Sequence, residues 1–356
     1  MNPDVLIVGD LHIHERQEFP GEIGKNPRLL DGLDILDQIL RLVIKHELRY
    51  VIFTGDLFEL KDRIPNHILV PFAQIFEEIN LRGAEVIALM GNHDFKIPEY
   101  ATTSIFPNIR LVCDPETLEL KNDICSRTVG FLPFFRKEED FRQNWLDYHQ
   151  EDAPPPDIFI FHNELPGVYY SKKKMSEQQS WDFPTFPYDS TMYIGGHIHM
   201  PQILKTTNNQ IEFIGTPYQI DFTDVDKDRA NYVILYELST GKTESVQLNY
   251  PRFLGIDLDS KENPNLMKAK GNYLRIVGTV EPKDRPRIRE LKQTLLSRGA
   301  KGVQIKVKYL TQQVKRLKAE KTDHRGVIGQ YLLGNTTGLD KERLLRTGLE
   351  LIEKVK

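Results

Sequence analysis

The first part of the chain alternates short apolar runs with segments of helical periodicity. In the predicted helix over Leu33–His46, apolar residues recur at positions 33, 36, 39, 40 and 43, which is the spacing of one helix face. The strand-like runs are continuously apolar, a pattern typical of strands buried on both faces. The order of predicted elements is strand Val5–Val8, helix Leu33–His46, strand Tyr50–Phe53, helix Ile68–Asn80 and strand Glu85–Met90.

Beyond residue 108 the pattern changes to shorter apolar runs, which predict a second sheet packed against the first. We therefore expect an α/β fold with two facing β-sheets flanked by helices. The polar, Lys-rich and Pro-interrupted segment Tyr170–Thr191 is predicted to be a mobile loop. The predicted strands are Ile109–Val112, Thr128–Leu132, Ile158–Phe161, Met192–Ile194, Ile211–Ile214 and Tyr232–Leu238.

A β-α-β pattern follows near residue 255, with strand Tyr273–Val280, helix Asp284–Arg298 and strand Val303–Tyr309. It predicts a small α+β cap. The last stretch begins with a charged, linker-like segment and ends in an apolar stripe at helical spacing (Leu344, Leu345, Leu349 and Ile352), with Asp340 as its candidate N-cap. The predicted domains are 1–254, 255–309 as the cap, and 310–356 as linker and C-terminal helices.

Charge is distributed unevenly between these regions. Residues 1–254 carry 24 Lys and Arg against 39 Asp and Glu, a net charge of −15, whereas residues 255–356 carry 23 against 12, a net charge of +11. The cap alone carries 13 against 6, or +7. This asymmetry indicates a basic region that meets a polyanion. The alternative is a solvated Lys and Arg face that has no partner.

Composition narrows the class of protein. The 356 residues are 40% hydrophobic, enough for a sizeable core. No run approaches the roughly 18 apolar residues of a membrane span, so we expect no membrane association. The two cysteines, Cys113 and Cys125, form no disulfide framework. Together with a strand-like run at the N-terminus, this predicts a cytoplasmic protein.

Five short motifs with metal-ligand chemistry occur in order along the chain. They supply aspartate, asparagine and histidine side chains and no thiolate, a ligand set that suits manganese, iron, zinc or magnesium. Two such ions about 3.5–4 Å apart can activate water and hold a phosphate for in-line displacement. The predicted ligands are Asp10, His12, Asp56, Asn92, His162, His197 and His199.

Each motif taken alone has a simpler explanation. Gly55-Asp56 is a common turn, and a lone His162 is more often a satisfied core histidine. Gly91-Asn92-His93-Asp94 is more specific, because polar and turn residues after an apolar strand have no obvious role in a core. Every motif follows a predicted strand, and open α/β sheets gather their ligands at the carboxyl ends of strands. The joint order therefore favours a two-metal site.

These motifs resemble the signature of the calcineurin-type metallophosphoesterases, and within them the SbcD-type recombination and repair nucleases (the meiotic recombination eleven family). The segments around Asp10, Asp56 and Asn92 carry the resemblance, together with Gly-Thr-Pro-Tyr-Gln at 215–219 and the acidic stretch over 221–228. The resemblance covers residues 1–255 well and the cap only in outline. It implies the αββα sandwich of that family and a bacterial or bacteriophage origin, with the host cytoplasm as location in the second case.

The resemblance also implies roles for single residues. One ion would be held by Asp10, His12, Asp56 and His199, and the other by Asp56, Asn92, His162 and His197. His93 would act on the leaving oxygen without binding metal, and Asp94 would orient the His93 ring. The chain departs from the family pattern at Glu59, where members often carry a histidine, and the fourth motif reads Phe161-His162-Asn163-Glu164 without a second histidine.

The function that this resemblance implies is a metal-dependent DNA exonuclease and endonuclease in recombination and double-strand-break repair. Two divalent ions are expected, Mn²⁺ first, with Mg²⁺ or Fe²⁺ as alternatives. The expected partners are DNA, a second copy of the chain in a homodimer, and an SbcC-type coiled-coil ABC ATPase that the final helix would contact. Two alternatives stay open: a phosphatase or cyclic-nucleotide phosphodiesterase on the same fold, and a non-catalytic scaffold.

Overall fold

A computed structural model describes residues 1–59, 64–94, 109–148, 154–171, 174–176, 190–205, 209–223, 231–310 and 340–355. The chain divides into two compact units. The larger unit comprises Met1–Gly278 and Pro286–Val307, and the smaller comprises Thr279–Arg285 and Lys308–Lys356. Three predicted segments lie wholly or mostly outside the described residues. They are the loop over 170–191, residues 224–228 of the acidic stretch 221–228, and the linker of the C-terminal region.

The described elements are numbered here in chain order. The helices are α1 Pro27–His46, α2 Asn66–Leu81, α3 Glu138–Tyr148, α4 Arg285–Ser297 and α5 Lys341–Val355, with 3-10 helices at Pro264–Lys268 and Pro282–Asp284. The strands are β1 Val5–Val8, β2 Tyr50–Phe53, β3 Glu85–Leu89, β4 Ile109–Val112, β5 Glu116–Lys121, β6 Ser126–Leu132, β7 Ile158–Phe161, β8 Tyr169–Ser171, β9 Lys174–Met175, β10 Met192–Gly195, β11 Gln202–Lys205, β12 Gln210–Phe213, β13 Val233–Tyr236, β14 Thr243–Val246, β15 Phe253–Asp257, β16 Tyr273–Val280 and β17 Gly302–Tyr309.

Two six-stranded sheets form the body of the larger unit. The first has the order β14-β13-β1-β2-β3-β4, and the second has the order β11-β12-β10-β7-β6-β5. Strands β1 to β4 pair in parallel, as do β12, β10, β7 and β6, while β13, β14, β11 and β5 pair antiparallel at the sheet edges. Parallel neighbours end on the same side, so each sheet brings several strand ends together at one edge.

The two sheets face each other across an apolar layer, and helices cover their outer faces. Ile7 and Ile52 of the first sheet lie in the same buried cluster as Phe131 and Ile160 of the second. Helices α1 and α2 pack on the first sheet in another cluster. Helix α3 buries Trp145 among the aromatic side chains of the second sheet. The expected α/β fold of two facing sheets flanked by helices is confirmed.

A small sheet of order β15-β16-β17 lies C-terminal to the sandwich, and Ile256, Ile276 and Leu295 belong to its own apolar cluster. A buried polar network ties this sheet to α1. The Asp31 carboxylate accepts hydrogen bonds from Arg28 (2.8 Å) and from the Tyr273 hydroxyl (2.7 Å), and it also contacts the Lys301 ammonium. The predicted β-α-β pattern is present, with β15 added before it.

The last described helix, α5, begins where the sequence predicted. Asp340 caps it, since one carboxylate oxygen accepts a hydrogen bond from the Arg343 backbone N–H at 3.1 Å. Leu344 remains 38% exposed within the described chain. Within the described ranges, no helix is both long and apolar enough to cross a bilayer.

Candidate metal centre

The predicted ligands lie in the loops that follow buried parallel strands. Asp10 and His12 follow β1, Asp56 follows β2, and Asn92 follows β3, so three loops of the first sheet meet at one edge. The second sheet contributes His162 after β7, and His197 and His199 after β10.

The backbone of these loops is turned tightly. Four described residues other than glycine have a positive φ, and three of them are predicted ligands: His12 (46°), Asp56 (49°) and His197 (71°). Such conformations cost free energy and concentrate at functional sites.

The structure brings the predicted ligands into two neighbouring groups. In one, ligand atoms of Asp10, His12 and His199 all lie within 4.8 Å of one another. In the other, ligand atoms of Asp56, His162 and His197 do so. Asn92 lies with the second group, because its Oδ1 is 2.8 Å from His197 Nδ1 and 3.3 Å from His162 Nε2.

Asp56 lies between the two groups. Its Oδ2 is 3.5 Å from His12 Nε2 and also 3.5 Å from His162 Nε2. Its Oδ1 accepts a hydrogen bond from the His93 backbone N–H at 2.8 Å, which fixes the carboxylate. Gly91 makes this approach possible, since a Cβ at that position would overlap Asp56 Oδ1. One carboxylate is thus placed to serve two neighbouring cations.

Buried polar atoms without protein partners test whether the site fits metal ions. Within the described chain, Asp10 Oδ2 and His12 Nε2 are buried and make no hydrogen bond. Leaving such groups unsatisfied is costly, and native structures rarely do so without water or an ion. Carboxylate, amide and imidazole donors are also the set that suits divalent cations of intermediate hardness. The residues present therefore fit a pair of divalent ions.

Burial and neighbouring charges shift the pKa values of the side chains at this site. Burial raises the pKa of Asp10 to about 6 and, with Asp56 nearby, raises the pKa of Asp94 to about 7. Burial opposes the charged form of His162, but Asp56 and Asp10 raise the pKa of His162 to about 9. Burial lowers the pKa of His197 to about 3. Some of these buried groups therefore retain protons near neutral pH, and binding of cations would displace those protons.

His93 and Asp94 lie beside the centre in different roles. The His93 ring is edge-on to the His12 ring at 4.7 Å, and its Nδ1 contacts the backbone oxygen of Glu59 at 2.7 Å. The Asp94 carboxylate accepts hydrogen bonds from the backbone N–H groups of Asp56 (2.8 Å) and Gly91 (3.1 Å). Asp94 therefore holds two motif loops together, whereas we expected it to orient the His93 ring, which the Glu59 carbonyl does instead.

Two further residues that the sequence analysis did not single out hold the ligands in place. Thr54 is buried, its Oγ1 donates a hydrogen bond to Asp10 Oδ1 at 3.2 Å, and its backbone oxygen lies 2.7 Å from His162 Nδ1. This leaves His162 Nε2 directed to Asp56. The buried His14 contacts the backbone oxygen of His12 and accepts a hydrogen bond from Arg16 Nε at 2.8 Å. The alternation of Asp10, His12 and His14 was the available sequence signal.

Facing sheets with aspartate, asparagine and histidine side chains at their strand ends define a metal-dependent hydrolase. The model of the calcineurin-like phosphoesterase family matches residues 3–201, more than half of the chain. The protein belongs to this family, whose members are hydrolases that use a dinuclear metal site.

Three known proteins are similar to parts of the chain. The DNA double-strand break repair protein Mre11 of Sulfurisphaera tokodaii is 23% identical over 224 residues, which cover 60% of this chain and 53% of that protein. The chain thus spans about half the length of this curated relative. Two solved structures, a dimetal phosphatase from Danio rerio and the nuclease MPE of Pseudomonas putida, match with TM-scores of 0.38 and 0.30. Their identities are 11% and 14%, and they cover 66% and 68% of this chain and 93% and 88% of those chains.

Proposed function

We propose that the protein is an SbcD-type, metal-dependent DNA nuclease that hydrolyses phosphodiester bonds in recombination and double-strand-break repair. The observation that carries the proposal is the similarity to a DNA double-strand break repair protein over 224 residues, or 60% of this chain. The basic C-terminal region supports a polyanionic substrate, since residues 255–356 carry a net charge of +11.

The candidate ligands divide between two ions under this proposal. Divalent ions at these positions supply Lewis-acid activation of water and charge stabilisation at the phosphate. The chain's own contribution is to hold the ligands on short loops that follow buried strands. His93 Nε2 faces away from Glu59 and would donate a proton to the leaving oxygen. One ion would be held by Asp10, His12, Asp56 and His199, and the other by Asp56, Asn92, His162 and His197.

The α+β region would hold the DNA backbone without reading bases. Arg287 and Arg289 on α4, Arg298 just after α4, and Lys306 on β17 are exposed. Exposed guanidinium and ammonium groups bind phosphate oxygens and fix the register of a strand, but they carry no sequence information. We retain the division into a nuclease domain (1–254), a DNA-binding cap (255–309) and a C-terminal linker and helix region (310–356) as a proposal.

A nuclease assay with defined metals tests the proposal directly. We expect the purified protein to cleave labelled single- or double-stranded DNA in Mn²⁺, to lose this activity in a chelator, and to regain it when Mn²⁺ is restored. Mg²⁺ and Fe²⁺ in parallel reactions identify the preferred ion. Hydrolysis of a chromogenic phosphodiester without cleavage of any DNA would contradict the proposal and favour a phosphodiesterase.

The final helix is the segment that we propose to contact an SbcC-type coiled-coil ATPase. Leu344 is exposed and Leu345 half-buried on α5, and apolar side chains on a helix face fit a coiled-coil surface. We expect Leu344→Glu with Leu345→Glu to abolish co-purification with such an ATPase while metal-dependent DNA cleavage continues. Arg346→Ala, on the charged side of α5, is the matched control and should bind normally. Unchanged binding by the double variant would contradict the docking role.

A homodimer would present two metal centres to the two strands of a broken duplex, and light scattering of the purified protein measures this state. The cytoplasm, or the host cytoplasm for a bacteriophage protein, is the compartment that we propose because its substrate would be there.

A further inference from the structure

Glu59 lies at the metal centre although no sequence motif assigns it there. The segment around it is fixed against the first motif loop. The Ile13 backbone N–H donates a hydrogen bond to Leu57 O at 3.0 Å, and the Glu59 N–H donates one to Ile13 O at 3.3 Å. The Phe58 and Ile13 backbones form an isolated parallel bridge. The position of Glu59 is therefore set by the same backbone that carries Asp10 and His12.

The Glu59 carboxylate contacts a predicted ligand. Its Oε2 lies 2.9 Å from Nδ1 of His12 and 3.8 Å from Nδ1 of His93. The first distance is within hydrogen-bonding range of His12 Nδ1, although the two groups are not aligned as a hydrogen bond. On the other side of the His12 ring, Nε2 faces Asp56 Oδ2 at 3.5 Å. The ring thus has one nitrogen toward Glu59 and the other toward Asp56.

The two side chains that make this contact differ in their exposure. The His12 side chain is 1% exposed and that of Glu59 is 36% exposed. An ionised carboxylate beside one nitrogen of a ligating imidazole favours the tautomer that leaves the other nitrogen free, and it increases the basicity of that nitrogen.

We propose that Glu59 is a positioning residue that orients His12 so that Nε2 binds one of the two metal ions. The role differs from that of Thr54, which orients His162 of the other group through its backbone oxygen. Each group thus has one imidazole whose second nitrogen faces an oxygen of a residue that is not itself a proposed ligand. This inference rests on the proposed pair of ions, and it concerns metal affinity rather than the chemistry of the phosphate.

Binding of Mn²⁺ to the metal-free protein, measured by titration calorimetry, tests the inference without any nuclease activity. Loss of such a carboxylate partner costs about 10- to 100-fold in metal affinity. We expect Glu59→Gln and Glu59→Ala to weaken one of the two binding constants by that factor and to leave the other unchanged. His12→Ala and His197→Ala serve as references, because each removes a ligand from a different group. The Glu59 variants should reproduce the pattern of His12→Ala.

Glu77→Gln is the matched control, since Glu77 is exposed on α2, and it should bind both ions as the wild type does. Wild-type binding constants in both Glu59 variants would overturn the inference, as would equal weakening of both ions. If Glu59→Ala does not fold, Glu59→Gln still decides, because it keeps the shape of the side chain. DNA cleavage by the wild type is recorded in parallel, and its absence would refute the nuclease proposal while the binding constants still determine the role of Glu59.

Discussion

Asp56→Asn is expected to lose both bound ions and to reduce kcat/KM for DNA by at least about 10³-fold. The substitution keeps the size of the side chain, and the amide oxygen can still accept the hydrogen bond from the His93 N–H. It removes the oxygen that lies 3.5 Å from both His12 Nε2 and His162 Nε2. Loss of a stabilisation of several kcal/mol corresponds to a rate loss of this size.

Metal analysis of the purified variant together with steady-state kinetics measures this effect. Asp37→Asn is the matched control, because Asp37 is exposed on α1 and pairs with Arg41 at 2.5 Å. It should retain both ions and normal turnover, since an exposed ion pair one helical turn apart contributes little. Full metal content in Asp56→Asn would show that Asp56 is not the shared ligand.

His93→Ala is expected to keep both ions and the fold but to lose about 10²–10⁴-fold in kcat, the range for removal of a general acid. The alternative is that His93 binds metal, because ligand atoms of His12, Asp56 and His93 also lie within 4.8 Å of one another. The contact of His93 Nδ1 with the Glu59 carbonyl favours the acid role, since it fixes the ring and leaves Nε2 for the substrate.

The metal content of His93→Ala separates these readings. Two bound ions with slow turnover fit a group that acts on the leaving oxygen, and the loss should shrink for a substrate whose leaving group needs no proton. Loss of one ion would make His93 a ligand instead. His67→Ala offers a comparison on α2, where the ring contacts Glu15 at 3.1 Å, and it should not affect turnover.

The sequence predicts the centre of the fold well because the central strands are continuous apolar runs. Strands β1, β2 and β7 have the predicted bounds, and all their residues except Tyr50 are fully buried. The same pattern predicts where the ligand loops lie, because neighbouring parallel strands end at the same edge of the sheet.

The edges of the fold could not be predicted in the same way. Strands β5 and β14 alternate or expose most of their residues, so no apolar run marks them. Helix α1 begins at Pro27, six residues before the predicted start, because the Asn26 side chain caps it by accepting from the Arg28 N–H at 3.0 Å. That cap and the following proline were the local signals that apolar periodicity alone does not use.

The roles of Thr54, Glu59 and Asp94 could not be derived from the sequence for another reason. Each of them acts on residues that are distant in the chain, and Thr54 and Glu59 do so partly through backbone oxygens. A backbone oxygen has no residue type, so no motif can report which one faces a histidine. Asp94 likewise contacts backbone N–H groups, and its adjacency to His93 in the sequence suggested a contact that the folded loop does not make.

The candidate ligands come from both halves of the sandwich. Asp10, Asp56 and Asn92 belong to loops of one sheet, whereas His162, His197 and His199 belong to loops of the other. Two metal ions bound here would link the two sheets at one edge, where loops rather than apolar side chains meet. A ligand that binds only the folded state stabilises that state, and the stabilisation grows with the concentration of the ligand. The concentration of divalent metal in the cell would therefore change the free energy needed to separate the two sheets at this edge.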